Sequence, residues 1–398
     1  MSATLLELRT RALEGLPQHL PKAFQIRHAI HRAPRVGGDE HATREFLKEQ
    51  VDFDGVIDIA EGFLARLDPT GGAIDAPAIG IRAELDALPV QETSDVAWKS
   101  ERDGAAHLCG HDVHQAALVA VWETLREIGA PFPFVALFQP REEQIPSGAV
   151  DVIADPALRA QGMKAFIGVH VQPVLLRGSV SCAPGAINAA ADNFEITVHG
   201  TPSHGAYPHL SRDPIVAIAG VVQGLQHLVS RRIDPMLPAV VTIGQIEGGD
   251  SHNAIPSSAT LRGTIRSYNE VERTLLHREI RRVAEGIAAA HDCTAQVDVH
   301  LGEPVLHNNA ELAMIVADEL HADGFRESEA LRSCGADDFA YYGEVIPSLM
   351  IFAGVGDGDR RSPGLHHPAF APPDQVVAEV ARIMLLSYFA VAADLAAQ

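Results

Sequence analysis

The stretch DVHQAALVAVWETLREIG (112–129), followed directly by FPFVALFQP (132–140), decides the fold class of this chain. The first segment repeats its apolar residues with helical spacing and ends at a glycine, which predicts a helix. The second is a short apolar run that closes at a proline, which predicts a buried strand. Another helix–strand pair follows in SGAVDVIADPALRAQG (147–162) and AFIGVHVQP (165–173). Strands that alternate with helices predict an α/β domain whose mostly parallel sheet is flanked by helices.

The middle of the chain has a different pattern. DNFEITVHG (192–200) alternates apolar and polar residues, as a strand with one exposed face does. The segments after it predict, in order, a helix at 213–231, strands at 239–248 and 259–268, a helix at 270–290 and a strand near 294–301. This order is that of a four-stranded, ferredoxin-like α+β domain with two helices. We therefore divide the chain into a main domain in two segments (1–187 and 303–398) and an inserted domain (188–302).

The composition of the chain argues against some classes of protein function. Among 398 residues, 31 lysines and arginines stand against 52 aspartates and glutamates, so the formal net charge is −21. This balance excludes a typical nucleic-acid binder and disfavours binding to an anionic membrane surface. The sequence has no run of 18 apolar residues free of charge, and its N-terminal segment carries charges within its apolar pattern, unlike a signal peptide. Because the four cysteines are too few and too scattered for a disulfide framework, we expect a cytoplasmic protein.

Metal-ligating residue types concentrate in HLCGHDVH (107–114). Cys109 and His111 are two residues apart, and in extended or loop backbone such side chains project to the same side. Both can therefore reach one metal ion near the start of the predicted helix. Loops at the carboxyl ends of strands are where open α/β sheets place their sites. The competing interpretation is a chance histidine-rich turn.

Other candidate ligands follow other predicted strands. Glu142 and Glu143 come directly after a strand, and because adjacent side chains diverge, one carboxylate can ligate a metal while the other acts as a base. Taken alone, such a pair is more often a solvated acidic pair before a helix. His170 ends another strand, and His366 and His367 lie in a loop bounded by glycine and proline. Each of these signals is weak by itself.

The combined set of ligands indicates more than one ion. One thiolate, three imidazoles and one or two carboxylates are too many for one tetrahedral zinc ion. They suit two divalent ions a few ångström apart. Thiolate and imidazole favour zinc, whereas carboxylates also admit manganese or cobalt.

The blocks CGHDVH, EE, GVHVQP, PSHGAYPH, NAIPSSATLRGTIR and GLHHPAF, in this order, resemble the dimetal amidohydrolases of the aminoacylase/carboxypeptidase superfamily. The most similar branch is that of the hippurate and indoleacetyl-amino-acid hydrolases. The resemblance extends from HAIHRAP (28–34) to GLHHPAF (364–370), which is nearly the whole chain. It implies a two-segment catalytic domain with an inserted lid domain that also mediates dimerisation.

The resemblance also assigns roles to the candidate residues of the main domain. The metal ligands that it implies are Cys109, His111, Glu143, His170 and His366. Glu142 would be the general base and, later, the acid for the leaving amine. Asp86 would orient a ligand histidine, and Asp112 would similarly support the centre. Glu84 departs from the family, which usually has aspartate there.

Three residues of the inserted domain receive roles from the resemblance. His204 matches a lid histidine that donates to the oxyanion of the tetrahedral intermediate, often from the partner subunit. Asn253 and Arg266 match positions that bind the carboxylate and carbonyl groups of the substrate, and arginine forms a bidentate fork on carboxylates.

The sequence therefore predicts a metal-dependent amidohydrolase that cleaves the amide bond of a small N-acyl-amino acid, with Glu142 as the base toward a metal-activated water. It predicts a homodimer or higher homo-oligomer formed through the lid domain, and no nucleic-acid or membrane partner. One alternative is a dipeptidase or carboxypeptidase-like enzyme. Another is a catalytically silent metal-binding scaffold, which would have no need of a base such as Glu142.

Overall fold

The computed structural model describes residues 3–69 and 76–398. Its helices are α1 (Ala3–Arg32), α2 (His41–Gln50), α3 (His111–Ile128), α4 (Gly148–Ala154), α5 (Pro156–Ala160), α6 (Pro214–Arg232), α7 (Glu270–Ala290), α8 (Ala310–Ala322), α9 (Ala340–Gly343) and α10 (Gln375–Leu395). Its strands are β1 (Ile57–Ile59), β2 (Gly62–Leu67), β3 (Ala78–Glu84), β4 (Phe134–Gln139), β5 (Met163–Leu176), β6 (Ser179–Ser181), β7 (Gly185–Asn188), β8 (Ala190–His199), β9 (Ser203–His204), β10 (Ala239–Gly248), β11 (Ala254–Ile255), β12 (Ser258–Ser267), β13 (Thr294–His300), β14 (Leu306–Asn308), β15 (Arg326–Glu327) and β16 (Ser348–Gly356).

These elements form two compact units. The first contains the residues up to Gly185 together with His307–Leu331 and Asp338–Gln398. The second contains Ala186–Leu306 and Arg332–Asp337. The segment 188–302, which the sequence predicts as an inserted domain, lies within the second unit.

An eight-stranded sheet forms the centre of the first unit, in the order β1-β2-β4-β3-β5-β16-β6-β15. Strands β4, β3, β5 and β16 pair in parallel, whereas β1, β2 and β4 pair antiparallel at one side. Every residue of β3 and β4 is buried, as expected for central strands that are covered on both faces. The predicted α/β class with a mostly parallel sheet is thus confirmed.

Helices α1, α3 and α10 pack against one another, and α3 and α10 also contact the sheet. By length and composition α10 could cross a membrane, since 18 of its residues have a mean hydropathy of 1.8. However, 78% of that stretch is buried inside the structure. Such burial is typical of a core helix, so the apolar composition of α10 is explained by its packing in the core.

The helix predicted over 147–162 is in fact two short helices, α4 and α5. The break falls at Asp155, whose extended backbone ends α4 and whose side chain accepts a hydrogen bond from the Ala157 amide (2.8 Å). Pro156 follows at the first helical position, where its missing N–H costs nothing. The Asp-Pro pair therefore both stops one helix and starts the next.

The second unit is built on a four-stranded antiparallel sheet, β10-β12-β8-β13, against which α6 and α7 pack. The chain runs β8-α6-β10-β12-α7-β13, so the predicted ferredoxin-like connection is present. The apolar residues of β8 that point inward, such as Phe194, Ile196 and Val198, are buried against the helices.

One segment differs from the sequence-based division. Arg332–Asp337 belongs to the second unit, although it lies in the segment predicted to complete the main domain. The backbone amide of Ser333 donates to the Ile187 carbonyl (2.9 Å), and the Ala189 amide donates to the Ser333 carbonyl (3.1 Å). Pairing between such distant segments leaves no local pattern in the sequence.

Asp192 joins the sheet of the second unit to α7. Its carboxylate accepts hydrogen bonds from Arg273 Nε (2.9 Å) and Nη2 (2.7 Å), from the His277 ring (2.7 Å) and from the Gly302 amide (3.0 Å). Asp192 is 1% exposed and Arg273 is 7% exposed. Burial by itself raises the pKa of Asp192, but the hydrogen bonds from Arg273 and His277 outweigh burial and hold this pKa well below its usual range.

We expect Asp192→Ala to lower the free energy of unfolding by about 3 kcal/mol, because it removes the buried carboxylate that accepts two hydrogen bonds from Arg273 and leaves only Glu270 and the Gly302 carbonyl among the recorded contacts of this side chain. The measurement is urea unfolding followed by circular dichroism at neutral pH. Since the folded pKa is depressed, the difference from wild type should shrink only as the pH falls below about 4. Glu195→Ala, which removes an exposed partner of Arg262, is the control and should cost less than about 1 kcal/mol. Equal costs for the two variants would contradict this account.

Candidate metal centre

The predicted ligands of the first unit converge where parallel strands end. Asp86 follows β3, the glutamate pair follows β4, and His170 lies in β5. Cys109 and His111 lie at the start of α3. Because the carboxyl ends of parallel strands meet at one edge of a sheet, side chains that are far apart in sequence become neighbours there.

Gly110 allows Cys109 and His111 to face the same place. Its φ of +89° is in the left-handed region, which glycine adopts without steric cost. A Cβ atom at this position would lie 2.3 Å from Cγ2 of Val171. The tight turn before α3 therefore requires glycine, and it presents both ligands toward β5.

His111 is held in the tautomer that a metal ligand needs. Its Nδ1 lies 2.8 Å from the backbone carbonyl oxygen of Asp86, so Nδ1 carries the proton and donates. Its Nε2 is buried and has no hydrogen-bond partner within the part of the chain that the structure describes. Oε2 of Glu142 lies 3.7 Å from this Nε2. A buried lone pair without a donor is what a metal ion would fill.

His170 is oriented in the same way. Its Nδ1 donates to the backbone carbonyl of Val171 (2.7 Å), which leaves Nε2 directed at the sulfur of Cys109, 3.4 Å away. His114 lies close by, but both of its nitrogens are used. Its Nδ1 donates to Glu84 (2.8 Å), and its Nε2 accepts from the Val171 amide (3.1 Å). His114 therefore supports the strand that carries His170 and offers no free lone pair.

The two glutamates and His366 complete the cluster. The backbone amide of Glu143 donates to Oδ2 of Asp86 (2.9 Å), which fixes the loop after β4. Oε1 of Glu143 lies 3.1 Å from Nε2 of His366. His366 itself has a left-handed backbone (φ +63°), and its amide donates to the Leu108 carbonyl (2.8 Å). This bond ties the C-terminal loop to the residue that precedes Cys109.

The predicted ligands and Glu142 form three overlapping groups, within each of which one potential ligand atom per residue lies within 4.8 Å of the others. The groups are Cys109 with His111 and His170, Cys109 with Glu143 and His366, and His111 with Glu142 and Glu143. Because no one group contains all ligands, the arrangement suits two adjacent ions better than one.

The electrostatics also favour cations. Burial, and then the nearby Glu143 and Glu142 carboxylates, raise the pKa of the Cys109 thiol well above its usual value. Burial lowers the pKa of His111, but the carboxylates of Glu84 and Asp86 outweigh burial and raise it to about 10. A bound divalent ion would instead favour the deprotonated thiol and the neutral imidazole, because these are the forms that ligate metals. The donor set and the unfilled Nε2 of His111 therefore fit the binding of divalent metal ions.

Asp112 lies outside this cluster. Its Oδ2 accepts from Arg27 Nε (2.9 Å) and from His31 Nδ1 (2.9 Å), both on α1. The other nitrogen of His31 lies 3.1 Å from the buried Glu92 carboxylate. Asp112 thus anchors the start of α3 to α1 through a buried ionic network, and any support it gives to the centre passes through the helix.

Sequence reasoning missed two supporting groups. Glu84 faces Arg82 and His114, and this buried trio lies directly beneath the ligands. Glu40, at the start of α2, contacts the loop that carries the two glutamates. An arginine and a glutamate within the apolar run of β3 could have signalled the first group. Nothing near Glu40 in the sequence points to a residue about 100 positions away.

The other three predicted site residues belong to the second unit. His204 in β9 pairs with Ala254 in β11, and its Nδ1 accepts a hydrogen bond from the Ala206 amide (3.0 Å). The Asn253 carbonyl accepts from the Gly205 amide (2.7 Å), so Asn253 lies beside the His204 turn. Arg266 is in β12. Their roles toward a substrate stay predictions.

Comparisons with known proteins identify the family to which this chain belongs. The pattern of peptidase family M20/M25/M40 matches residues 80–387. An N-acetyl-L-cysteine deacetylase of Bacillus subtilis is 34% identical over 87% of this chain and 82% of its own length. An N-acetyldiaminopimelate deacetylase of Exiguobacterium sibiricum is 30% identical, over 91% of this chain and 97% of its own. The solved structure of the YXEP protein of Bacillus subtilis, a dinuclear metal-binding peptidase, has a TM-score of 0.80 and 28% identity, over 94% and 99% of the two chains.

The fold and the ligand cluster thus define a hydrolytic enzyme that uses two divalent metal ions to cleave amide bonds. The chain belongs to peptidase family M20/M25/M40. The resemblance to the dimetal amidohydrolases that the sequence indicates is thereby confirmed.

We expect metal binding to release protons. Because burial and the nearby carboxylates raise the pKa of the Cys109 thiol well above its usual value, this proton leaves when a metal binds, and the apparent metal affinity should rise about tenfold per pH unit for each proton displaced. Calorimetric titration with Zn²⁺ between about pH 6.5 and 8, in buffers of different ionisation enthalpy, measures both quantities. Cys109→Ser should release about one proton fewer, whereas Cys182→Ser, a buried cysteine bonded to the Ala313 carbonyl, should behave as wild type. An unchanged proton count in Cys109→Ser would contradict the assignment.

Proposed function

We propose that this enzyme removes the acyl group from small N-acyl-amino acids by amide hydrolysis. The observation that carries the proposal is the position of Glu142, whose carboxylate lies beside the ligand cluster, 3.7 Å from Nε2 of His111. The relatives named as deacetylases of N-acetyl-L-cysteine and N-acetyldiaminopimelate support an N-acyl-amino acid as substrate.

Cys109, His111, Glu143, His170 and His366 would hold the two ions. Zinc is the first choice for a thiolate and imidazoles, and manganese or cobalt are compatible with the carboxylates. When bound, such ions lower the pKa of a water molecule and polarise the substrate carbonyl.

Glu142 acts as the base and then as the acid. Its carboxylate takes a proton from the attacking water and delivers it to the amine nitrogen as the amide bond breaks. Its neighbour Glu143 has a different environment, because the Glu143 amide is bonded to Asp86 and its carboxylate faces His366. The two adjacent glutamates can therefore have different functions.

His204 supplies a donor to the oxyanion in this proposal. Since its Nδ1 accepts from the Ala206 amide, the neutral ring carries its proton on Nε2, and this N–H can donate to a developing negative charge. Asn253, beside this turn, and Arg266 would bind the free carboxylate of the substrate.

We also propose that the protein is a cytoplasmic homodimer that associates through the second unit. Strand β10 lies at the edge of its sheet, and residues such as Ile246 (55% exposed) are uncovered there. An exposed edge strand can pair with a second copy of itself. His204 is exposed as well, so a second subunit could receive it.

The substrate class can be tested on protein stripped of metal and reloaded with Zn, Mn or Co. We expect kcat/KM for N-acetyl- and N-benzoyl-amino acids to exceed that for free dipeptides at least about tenfold. The amide of the same N-acetyl-amino acid, which lacks the carboxylate, should lose about 10²-fold. A preference for dipeptides would select the peptidase alternative. Absence of turnover on both substrates, with two ions bound, would select the scaffold.

The role and origin of His204 can be tested by subunit mixing. Glu142→Gln and His204→Ala should each bind two ions per chain yet lower kcat by about 10²-fold or more. After subunit exchange the mixture should recover about a quarter of the wild-type activity, because half of the dimers then carry one site with both residues intact. Glu101→Gln, an exposed carboxylate, is the matched control and should be fully active. No recovery, with exchange verified by mass spectrometry, would place His204 in its own subunit's site.

A further inference from the structure

The loop that carries Glu142 is held from both sides by buried carboxylates. On its C-terminal side, the Glu143 amide donates to Oδ2 of Asp86 (2.9 Å). On its N-terminal side, the Arg141 amide donates to Oε1 of Glu40 (2.7 Å). Arg141 and Glu142 therefore lie between two peptide groups that are each held by a buried carboxylate.

Arg141 has a backbone conformation that needs such a restraint. Its φ of +51° is in the left-handed region, which costs a non-glycine residue on the order of 1 kcal/mol. Its side chain points away from the ligands, to the exposed carboxylates of Glu61 and Asp151. This left-handed residue reverses the chain at the end of β4 and sets the direction of the Glu142 side chain.

Besides the amides of its own segment, at Gly38 and Glu40, the carboxyl group of Glu40 contacts an amide that is distant along the chain. Glu40 is 1% exposed, and although it stands at the N-cap position of α2, its side chain does not cap that helix. Burying a carboxyl group is costly unless it is hydrogen-bonded. The contact that stands out is the one with the Arg141 amide, about 100 residues along the chain.

We propose that Glu40 is a positioning residue for Glu142, which holds the Arg141 peptide in its left-handed conformation and thereby aims the general base. The proposal rests on the function proposed for Glu142. Glu40 touches neither substrate nor metal ligand in this role, and it acts through the Pro140–Arg141 peptide group, one residue before the base.

What Glu40 must supply is an acceptor at the right distance. Burial, followed by the neighbouring Asp86 carboxylate, raises the pKa of Glu40 to about 7, although backbone hydrogen bonds oppose this. Both the charged and the neutral carboxyl group have an oxygen that can accept from the Arg141 amide. Glutamine keeps that oxygen at the same reach, whereas aspartate is one methylene too short and alanine has no acceptor.

The test compares Glu40→Ala, Glu40→Asp and Glu40→Gln with wild type in the full chain loaded with Zn²⁺. We expect kcat on an N-acyl-amino acid to fall about 10- to 100-fold in the alanine and aspartate variants, because small misplacements of a catalytic group are costly. KM should stay within about twofold, two ions per chain should stay bound, and glutamine should keep kcat within about threefold. Glu49→Ala, exposed on the same helix, is the matched control and should be unchanged.

Three results would overturn the proposal. The first is an alanine variant with kcat within about threefold of wild type. The second is a glutamine variant as impaired as the alanine variant, which would mean that charge and not the acceptor matters. The third is loss of metal together with activity, which would mean that Glu40 supports the ligand Glu143.

If the alanine variant does not fold, the difference in kcat between the aspartate and glutamine variants decides the question. Glu142→Gln, assayed in parallel, tests the function proposed for Glu142 separately from the role proposed for Glu40. Only full activity of this variant would contradict the role of Glu142 as the general base.

Discussion

The metal centre depends on the position of one residue, Asp86. Its backbone carbonyl accepts from Nδ1 of His111, and its carboxylate accepts from the amide of Glu143. Asp86 is fully buried directly after β3, so the central strand of the sheet fixes both loops at once. Two ligands from different loops thus share one support, and the rigid strand limits the displacement of either loop. This is how a site built from several loops reaches the sub-ångström order that metal ligation and proton transfer require.

A buried ionic layer supports the sheet beneath the ligands. Arg82 bonds to Glu84, to Gln139 (3.0 Å) and to Asp338 (2.6 Å), and Glu84 continues to His114. All of these side chains are buried, so each would be costly without its partners. Burial opposes ionisation of Glu84, but Arg82 and His114 keep the pKa of this carboxyl well below its usual range. The layer therefore gives β3, β4 and the start of α3 one relative arrangement.

Much of this fold follows from local patterns, whereas its long-range pairings do not. The periodicity of 112–129 and of 270–290 predicts α3 and α7 to within one residue. In α7 one helical face is buried along the helix, whereas α3 is buried on nearly all sides. Two of the ligand candidates are also recognisable from local sequence, since Cys109 and His111 lie just before the predicted helix and belong to residue types that bind metals. Glu40 and Ser333 could not be found in this way. Each is defined by a partner that is distant along the chain, and only the assembled sheet brings the partners together.

The contrast between His111 and His114 explains why neighbouring histidines of one helix differ in chemistry. They are three residues apart and lie on the same side of α3, so spacing does not separate them. His114 faces Glu84 and the Val171 amide, which satisfy both of its nitrogens within the protein. His111 has a protein partner for Nδ1, while the described residues leave its Nε2 unsatisfied among Cys109, Glu142 and Glu143.

The negative charge near His114 is balanced by the fixed cation Arg82. The charge near His111 develops fully only when a metal ion is bound, because burial keeps the Cys109 thiol protonated until then. Metal binding must therefore stabilise the folded chain, since the same energy that holds the ions also satisfies groups that folding leaves unpaired.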